Sequence, residues 1–90
     1  MTQHSIITIH GGAQGVGFRY AAKQKADELK LAGFARNESD GTVRIEIEGN
    51  EKNVQEFIIW CREGVATASV RVVNVAFEKK MNNFSGFVIQ

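Results

Sequence analysis

The sequence predicts an α+β fold in which two helices pack on one face of an antiparallel sheet, in the order β-α-β-β-α-β. Stretches in which apolar and polar residues alternate, as in strands, are separated by two stretches with apolar residues at helical spacing. Two of the strand-like stretches are joined by a short turn sequence, which indicates an antiparallel hairpin. With 90 residues the chain is long enough for one domain, which we expect to span residues 1–90.

The first strand and the first helix are separated by a glycine-rich segment. Ser5–His10 alternates and is rich in β-branched residues, which predicts a strand. After the sequence GGAQGVGFR, apolar residues recur at helical spacing and predict a helix over Arg19–Ala32. We expect Gly33 to end this helix, because glycine readily adopts the left-handed conformation found at helix C-termini.

A hairpin and a second helix follow. The turn sequence Ser39-Asp40-Gly41 joins the predicted strands Phe34–Glu38 and Thr42–Glu48. Asn50 is a suitable N-cap for the second helix, because its side-chain oxygen can accept a hydrogen bond from a free N–H group of the first turn. We expect this helix to end at Gly64.

The last part of the chain contains two predicted strands. Ser69–Lys80 alternates, but its apolar phase changes between Val72 and Val73, which predicts a bulge there. Phe84–Ile89 is a short closing strand. The elements together predict a ferredoxin-like βαββαβ sandwich, an architecture that hosts many different functions.

Composition and charge argue against several classes of protein. The formal net charge of +1 lacks the positive excess expected of a protein that binds nucleic acid or membrane surfaces. No apolar run approaches the ~20 residues of a membrane span, and the N-terminus has no signal-peptide pattern. The single cysteine, Cys61, falls on the apolar stripe of the second helix, so we expect a buried and inert thiol. We therefore expect a cytoplasmic monomer with no nucleic-acid or membrane partner.

The segment GGAQGVGFR, residues 11–19, has the composition of an anion-binding loop. It is neither a Walker A loop, which needs lysine where Phe18 stands, nor a dinucleotide fingerprint, which needs glycine at Tyr20. Small residues followed by a helix start can still direct several backbone N–H groups and the positive end of the helix dipole at one anion. Arg19 can add two charge-assisted hydrogen bonds. From spacing alone, an ordinary strand-to-helix connection remains an open alternative.

The same segment closely resembles the acylphosphatase signature, Val-x-Gly-x-Val-Gln-Gly-Val-Gly-Phe-Arg. The matching residues are Gly11, Gln14, Gly15, Val16, Gly17, Phe18 and Arg19. A second block, GFARNESDGTVRIEIEG at residues 33–49, resembles the family's Gly-Trp-Val-(Arg/Lys)-Asn…Asp-Gly-Thr-Val…Gly segment. The resemblance covers essentially the whole chain in the right order.

The resemblance implies an enzyme that hydrolyses the carboxyl-phosphate bond of small-molecule acyl phosphates to a carboxylate and inorganic phosphate, without metal or cofactor. It implies that the Arg19 guanidinium pairs with the phosphoryl oxygens and that Asn37 orients the attacking water. The backbone amides implied to hold the phosphoryl oxygens are those of Gln14, Gly15, Val16, Gly17, Phe18 and Arg19. Because an acyl phosphate already carries a good leaving group, such an enzyme needs positioning and charge stabilisation more than acid–base groups.

Each assignment has a simpler alternative in the residues themselves. Arg19 could be a solvated arginine, although a cation at a helix start opposes the dipole. Asn37 could satisfy the hairpin. Arg36 should point to the opposite face of its strand from Asn37, so we interpret it as a surface charge.

The neighbours of the loop have less specific interpretations. We expect Phe18 and Tyr20 to be packing residues rather than substrate contacts. His10, at the mouth of the loop, could contact the substrate. Gly12-Ala13 replaces larger residues of the family pattern, so we expect a looser loop with weaker phosphate binding.

Two other functions remain open. The first is an acylphosphatase-like module that binds phosphate or carbamoyl phosphate with little turnover, as occurs inside larger maturation proteins; the end of the chain soon after the fold favours a free-standing enzyme. The second is RNA binding, because RNA-recognition modules share the element order but stack bases on aromatic side chains. Here we expect the solvent face of the third strand to carry Arg44, Glu46 and Glu48 instead.

Overall fold

The fold is a five-stranded sheet with two helices on one face. A computed structural model of the chain describes residues 1–15, 17–63 and 69–90. The elements are β1 (Thr2–Gly12), α1 (Phe18–Glu28), β2 (Ala32–Asn37), β3 (Val43–Asn50), α2 (Glu51–Glu63), β4 (Ser69–Glu78) and β5 (Phe87–Ile89). The strand order is β4-β1-β3-β2-β5. The predicted sandwich is confirmed, and the sheet is mixed because β5 pairs parallel with β2 while the other pairs are antiparallel.

The hydrophobic core lies between the sheet and the two helices. Alternation places every second residue of β1 and β3 on the helix side, where Ile7, Ile9 and Ile45 are fully buried. The helices contribute the residues of their apolar stripes, which are Ala22, Ala26, Val54, Phe57, Ile58 and Cys61. Neither α1 nor α2, the helices of the described ranges, is long and apolar enough to cross a membrane.

The predicted end of the first helix at Gly33 is wrong. Lys30 adopts a left-handed conformation with φ 56°, and the N–H group of Leu31 donates to the carbonyl of Ala26 at 2.9 Å. These contacts end α1 in a Schellman-type turn without glycine. Gly33 instead lies in β2, where a Cβ atom would come within 1.8 Å of the Glu46 carbonyl oxygen.

The second helix begins as predicted. The Asn50 side-chain oxygen accepts a hydrogen bond of 2.9 Å from the N–H group of Lys52, so Asn50 is the N-cap. The predicted end at Gly64 lies outside the described residues. Cys61 is fully buried, and burial raises the pKa of its thiol far above its usual range, which leaves it unreactive.

The predicted bulge in β4 is displaced by one residue. His10 of β1 pairs with Val72, and the next residue, Gly11, pairs with Val70. Arg71 is therefore the extra residue of the strand. The irregularity comes where β1 enters the glycine-rich loop.

The face of the sheet opposite the helices is not the open charged surface that the sequence predicts. Glu46 and Glu48 of β3 are only 8% and 6% exposed. The Glu48 carboxylate accepts backbone N–H groups from Asn82 and Phe84. The segment between β4 and β5 therefore crosses this face and covers it, which alternation along β3 alone cannot indicate.

A buried histidine lies beneath the same segment. His4 Nε2 is 2.9 Å from Glu46 Oε1, and His4 Nδ1 donates to the carbonyl of Lys80 at 2.9 Å. Glu48 Oε2 lies 3.3 Å from His4 Nδ1. Because the partners of both ring nitrogens are acceptors, this arrangement requires the doubly protonated imidazolium form.

Candidate active site

The loop between β1 and α1 begins the candidate site. Gly15 and Gly17 have φ values of 80° and 77°, in the left-handed region that side chains other than glycine rarely adopt. The space around both Cα atoms is open, so backbone conformation rather than crowding requires glycine. Val16, one of the predicted phosphate-binding residues, lies outside the described residues.

The first turn of α1 presents backbone N–H groups that have no acceptor within the helix. The first intrahelical hydrogen bond runs from the N–H group of Ala21 to the carbonyl of Gly17 at 3.0 Å. The N–H groups of Phe18, Arg19 and Tyr20 come before this bond and therefore have no partner within the helix. Gly17 is the N-cap and has no side chain to satisfy them. All residues of α1 are described, and none in its first turn is acidic, so the positive end of the helix dipole is not neutralised locally. This arrangement suits an anion such as a phosphoryl group.

Phe18 and Tyr20 differ in environment. The Phe18 ring is buried, with its centroid 5.6 Å from that of Trp60, which fixes the start of α1 against α2. The expectation that Tyr20 also packs is wrong, because its side chain is 67% exposed. Two residues along a helix correspond to about 200° of rotation, so the two side chains cannot share the buried face.

Arg19 is held by Gln90, the residue that follows β5. Its Nη1 donates a hydrogen bond of 2.6 Å to the main-chain oxygen of Gln90. The N–H group of Gln90 in turn donates to the carbonyl of Ala35 in β2 at 2.9 Å. The guanidinium group is thereby fixed near the end of β2, where Asn37 lies.

Asn37 is the last residue of β2 and is exposed. Because side chains alternate along a strand, it shares a face with the buried Ala35, which is the helix side of the sheet. Arg36 lies on the opposite face, as predicted: its Nη2 is 2.9 Å from a carboxylate oxygen of Glu38, and its guanidinium lies 5.2 Å from the centre of the Phe34 ring. The structure therefore brings Asn37 and Arg19 to the same side and end of the sheet and separates Arg36 from them.

The side chain of Gln14 makes contacts that the sequence does not predict. Its side-chain Nε2 donates to the carbonyls of Glu38 and Thr42, both at 2.8 Å. These carbonyls flank the turn that follows Asn37. The phosphate-binding interpretation of the matched block concerns only the Gln14 backbone amide, so it gave no indication of this side-chain role.

The turn itself is closed by an aspartate. Asp40 Oδ1 accepts from the N–H group of Thr42 at 3.0 Å and from its hydroxyl at 2.6 Å. These hydrogen bonds lower the pKa of the Asp40 carboxyl group, so it remains a charged acceptor. The turn after Asn37 thus has a defined shape.

His10 lies apart from these groups. Its Nε2 is 3.1 Å from the side-chain nitrogen of Asn74 in β4, on the side of β1 away from β2 and β5. The structure therefore does not bring His10 together with Arg19 and Asn37. Within residues 1–15, 17–63 and 69–90, no cluster of three or more His, Cys, Asp or Glu side chains is arranged to hold a metal ion.

Comparison with known proteins gives consistent matches over the whole chain. The family model described as Acylphosphatase matches residues 5–89. A protein named Acylphosphatase from Bacillus licheniformis is 40% identical over 89 residues, which cover 99% of this chain and 98% of that protein. The crystal structure of acylphosphatase from Bacillus subtilis is similar with a TM-score of 0.91 and 37% identity, covering 100% of this chain and 99% of that one. Full-length HypF in its phosphate- and nucleotide-bound form is similar with a TM-score of 0.92 and 31% identity, covering 100% of this chain but 12% of that one.

Proposed function

The chain belongs to the acylphosphatase family and is a hydrolase of acyl phosphates, and we propose that the loop before α1, Arg19 and Asn37 carry out this hydrolysis. The observation that most supports the assignment of these residues is the connection through Gln90. Its main-chain oxygen accepts a hydrogen bond from the Arg19 guanidinium. Its N–H group donates to the carbonyl of Ala35, two residues before Asn37 in β2. A helix start suited to anions and a strand end with an exposed amide therefore meet at one end of the sheet.

In this proposal the phosphoryl group binds at the start of α1. Its oxygens accept hydrogen bonds from the backbone amides of Gln14, Gly15, Val16, Gly17, Phe18 and Arg19. The left-handed glycines and the helix N-terminus without acidic residues support this assignment. The bond from Arg19 to Gln90 uses one of the five N–H donors of the guanidinium, so other donors can form a fork to the phosphoryl oxygens.

The hydrolysis is a displacement at phosphorus. The oxygen of a water molecule attacks the phosphorus atom, the bond between phosphorus and the acyl oxygen breaks, and the carboxylate leaves with the bonding electrons. The water proton passes to the phosphate product or to solvent. Because a carboxylate is a weak base, with a conjugate acid of pKa about 4, the leaving group needs no general acid.

Asn37 and Arg19 have different tasks in this displacement. The side-chain carbonyl of Asn37 accepts a hydrogen bond from the attacking water and directs its oxygen in line with the leaving group. Arg19 and the loop amides stabilise the negative charge on the transferring phosphoryl group. The reaction then requires neither a metal nor a cofactor.

Hydrolysis of benzoyl phosphate by the purified protein tests the proposal. We expect phosphate release above the buffer rate, unchanged by EDTA, with inorganic phosphate as a competitive inhibitor. Loss of turnover in EDTA would contradict the metal-free mechanism. Inhibition that is not competitive would contradict binding of the phosphoryl group at the proposed loop.

A phosphate-binding module with little turnover is the second candidate. It is favoured by the similarity to HypF, in which the matching part is 12% of a much longer chain. The same benzoyl phosphate assay separates the two functions when it is combined with calorimetric titration of phosphate. Phosphate binding without catalysed release of phosphate would support the module and contradict the enzyme.

The finer properties of the protein are also proposals. We propose that residues 1–90 form one domain that acts as a monomer in the cytoplasm without a nucleic-acid partner. The net charge of +1 supports the absence of nucleic-acid binding. Light scattering should give a mass near 10.0 kDa, and a dimer mass would contradict the monomer. The protein should not shift the band of mixed RNA in a gel at moderate salt, and a shifted band would contradict the absence of a nucleic-acid partner.

A further inference from the structure

The Gln14 side chain joins the phosphate-binding loop to the turn between β2 and β3. A side-chain amide nitrogen has two N–H donors. Both donors of Gln14 are directed at this turn, one at the carbonyl of Glu38 and one at that of Thr42, each at 2.8 Å. The Thr42 carbonyl also accepts the N–H group of Glu38 at 2.8 Å, so Gln14 extends the hydrogen bonding that closes the turn.

The end of β2 depends on this turn for its position. The pairs between β2 and β5 run from Gly33 to Ala35, so within the described residues β5 does not extend along β2 as far as Asn37. On its other edge Asn37 pairs with Val43 of β3. The residue that follows Asn37 is Glu38, whose carbonyl accepts one of the Gln14 bonds.

The other side-chain contacts of the turn are internal to the hairpin. Thr42 binds Asp40, and Arg36 binds Glu38. These bonds shape the turn, but they do not fix its distance from the loop before α1. Among the side-chain hydrogen bonds of the described residues, those of Gln14 connect the two.

We propose that Gln14 is a positioning residue, whose side chain fixes Asn37 relative to the phosphate bound by the loop. This inference rests on the proposed function, because it assumes that the loop holds the phosphorus atom and that Asn37 holds the attacking water. The two reactants then lie on separate elements of the fold. A displacement of about 1 Å between them can reduce the rate on the order of 10²-fold.

Replacing the amide by a group of similar length without donors tests the inference. In Gln14→Met, we expect kcat for benzoyl phosphate to fall on the order of 10²-fold. We expect the inhibition constant of inorganic phosphate to change less than about threefold, because the backbone amides of the loop remain. Gln24→Met, an equal change at an exposed position of α1, is the matched control and should keep full activity. Equal losses in kcat and phosphate affinity would indicate general damage to the loop and overturn the inference.

A double-mutant cycle with Asn37→Ala asks whether Gln14 acts through Asn37. Residues that act as one unit give effects that do not multiply, so Gln14→Met should cause little further loss once Asn37 has been replaced. If the two losses multiply, Gln14 acts independently of Asn37 and the inference is wrong. If Asn37→Ala alone keeps full activity, the proposed role of Asn37 fails, and the inference fails with it. Collapse of activity in Asn37→Ala together with full activity in Gln14→Met would overturn the inference alone.

A second variant keeps the test usable if Gln14→Met does not fold. Gln14→Glu preserves the side-chain shape, but its carboxylate faces two carbonyl oxygens and has no hydrogen to donate. Protonation restores one O–H donor, so kcat relative to the wild-type protein should rise as the pH is lowered from 7 to 5. A ratio that is constant over this range would contradict a role for the donors.

Discussion

The guanidinium group of Arg19 and the main-chain oxygen of Gln90, 71 positions apart in the sequence, are joined by a hydrogen bond of 2.6 Å. The bond holds the first turn of α1 against the strand pair formed by β2 and β5. It uses one of the five N–H donors of the guanidinium group and orients the group. The other donors of Arg19 therefore remain available to an anion at the start of α1.

Arg19→Ala should impair both phosphate binding and catalysis. Removal of one charge-stabilising donor typically costs about 2.7–4 kcal/mol of transition-state stabilisation, so we expect kcat/KM for benzoyl phosphate to fall roughly 10²–10³-fold. The inhibition constant of inorganic phosphate should rise in the same variant. Arg62→Ala, at an exposed position in the last turn of α2, is the matched control and should retain wild-type kinetics. Wild-type kinetics in Arg19→Ala would show that this arginine is only a surface charge.

Asn37→Ala should separate catalysis from binding. Because Asn37 is assigned to the water and not to the phosphate, we expect kcat to fall roughly 10²-fold or more, while the inhibition constant of phosphate changes little. Asn74→Ala, at an exposed position of β4, provides the comparison at a site remote from the end of β2. Near-full activity of Asn37→Ala, measured in the same assay, would contradict the water-positioning role.

Local patterns in the sequence predicted most of the fold and the outline of the site. Alternation and helical spacing identified all the elements, and the contiguous block around Arg19 identified the loop. The end of α1 was misplaced because Lys30 adopts the left-handed conformation for which glycine is the usual choice. The interactions that decide the elements, the loop and the end of α1 all lie within a few residues along the chain.

Contacts between distant parts of the chain account for what could not be predicted. Alternation predicts Glu48 as a solvent-facing charge in β3, yet the segment between β4 and β5 covers it, including Phe84, which the sequence pattern assigns to the closing strand. The two bonds of the Gln14 side chain likewise reach residues of another element. Neither spacing nor composition carries information about such pairs.

Gly17→Ala should destabilise the protein and weaken phosphate binding. The left-handed conformation of Gly17, with φ 77°, costs an alanine about 1–2 kcal/mol even though the surrounding space is open. Gly86→Ala is a suitable comparison, because Gly86 also has open space but no positive φ in this range, and it should be neutral or slightly stabilising. Urea unfolding and phosphate inhibition measure the two effects. Equal stability of the two variants would contradict a strained backbone at Gly17.

His4 gives the protein a stability that depends on pH. Burial alone would lower the pKa of His4, but the hydrogen bonds to the Lys80 carbonyl and to Glu46, together with the charge of Glu48, outweigh it and raise the pKa above 6.5. Other charged groups around the imidazole are Arg44, Glu78 and Lys80. The raised pKa means that the folded state binds the proton more tightly than the unfolded state.

The sign of the pH effect follows from this difference. The stabilisation by His4 is complete below pH 6.5, the unfolded value, and is lost as the pH rises through the raised pKa of the folded state. In that window, the free energy of unfolding should fall by at most about 1.4 kcal/mol per pH unit for this one group. His4→Gln, which cannot titrate, should be less stable than wild type at pH 6, with a difference that shrinks by pH 9. Urea unfolding at several pH values measures it, and His10→Gln controls for loss of a histidine that is only partly buried. A difference that stays constant or grows with pH would contradict a buried imidazolium at position 4.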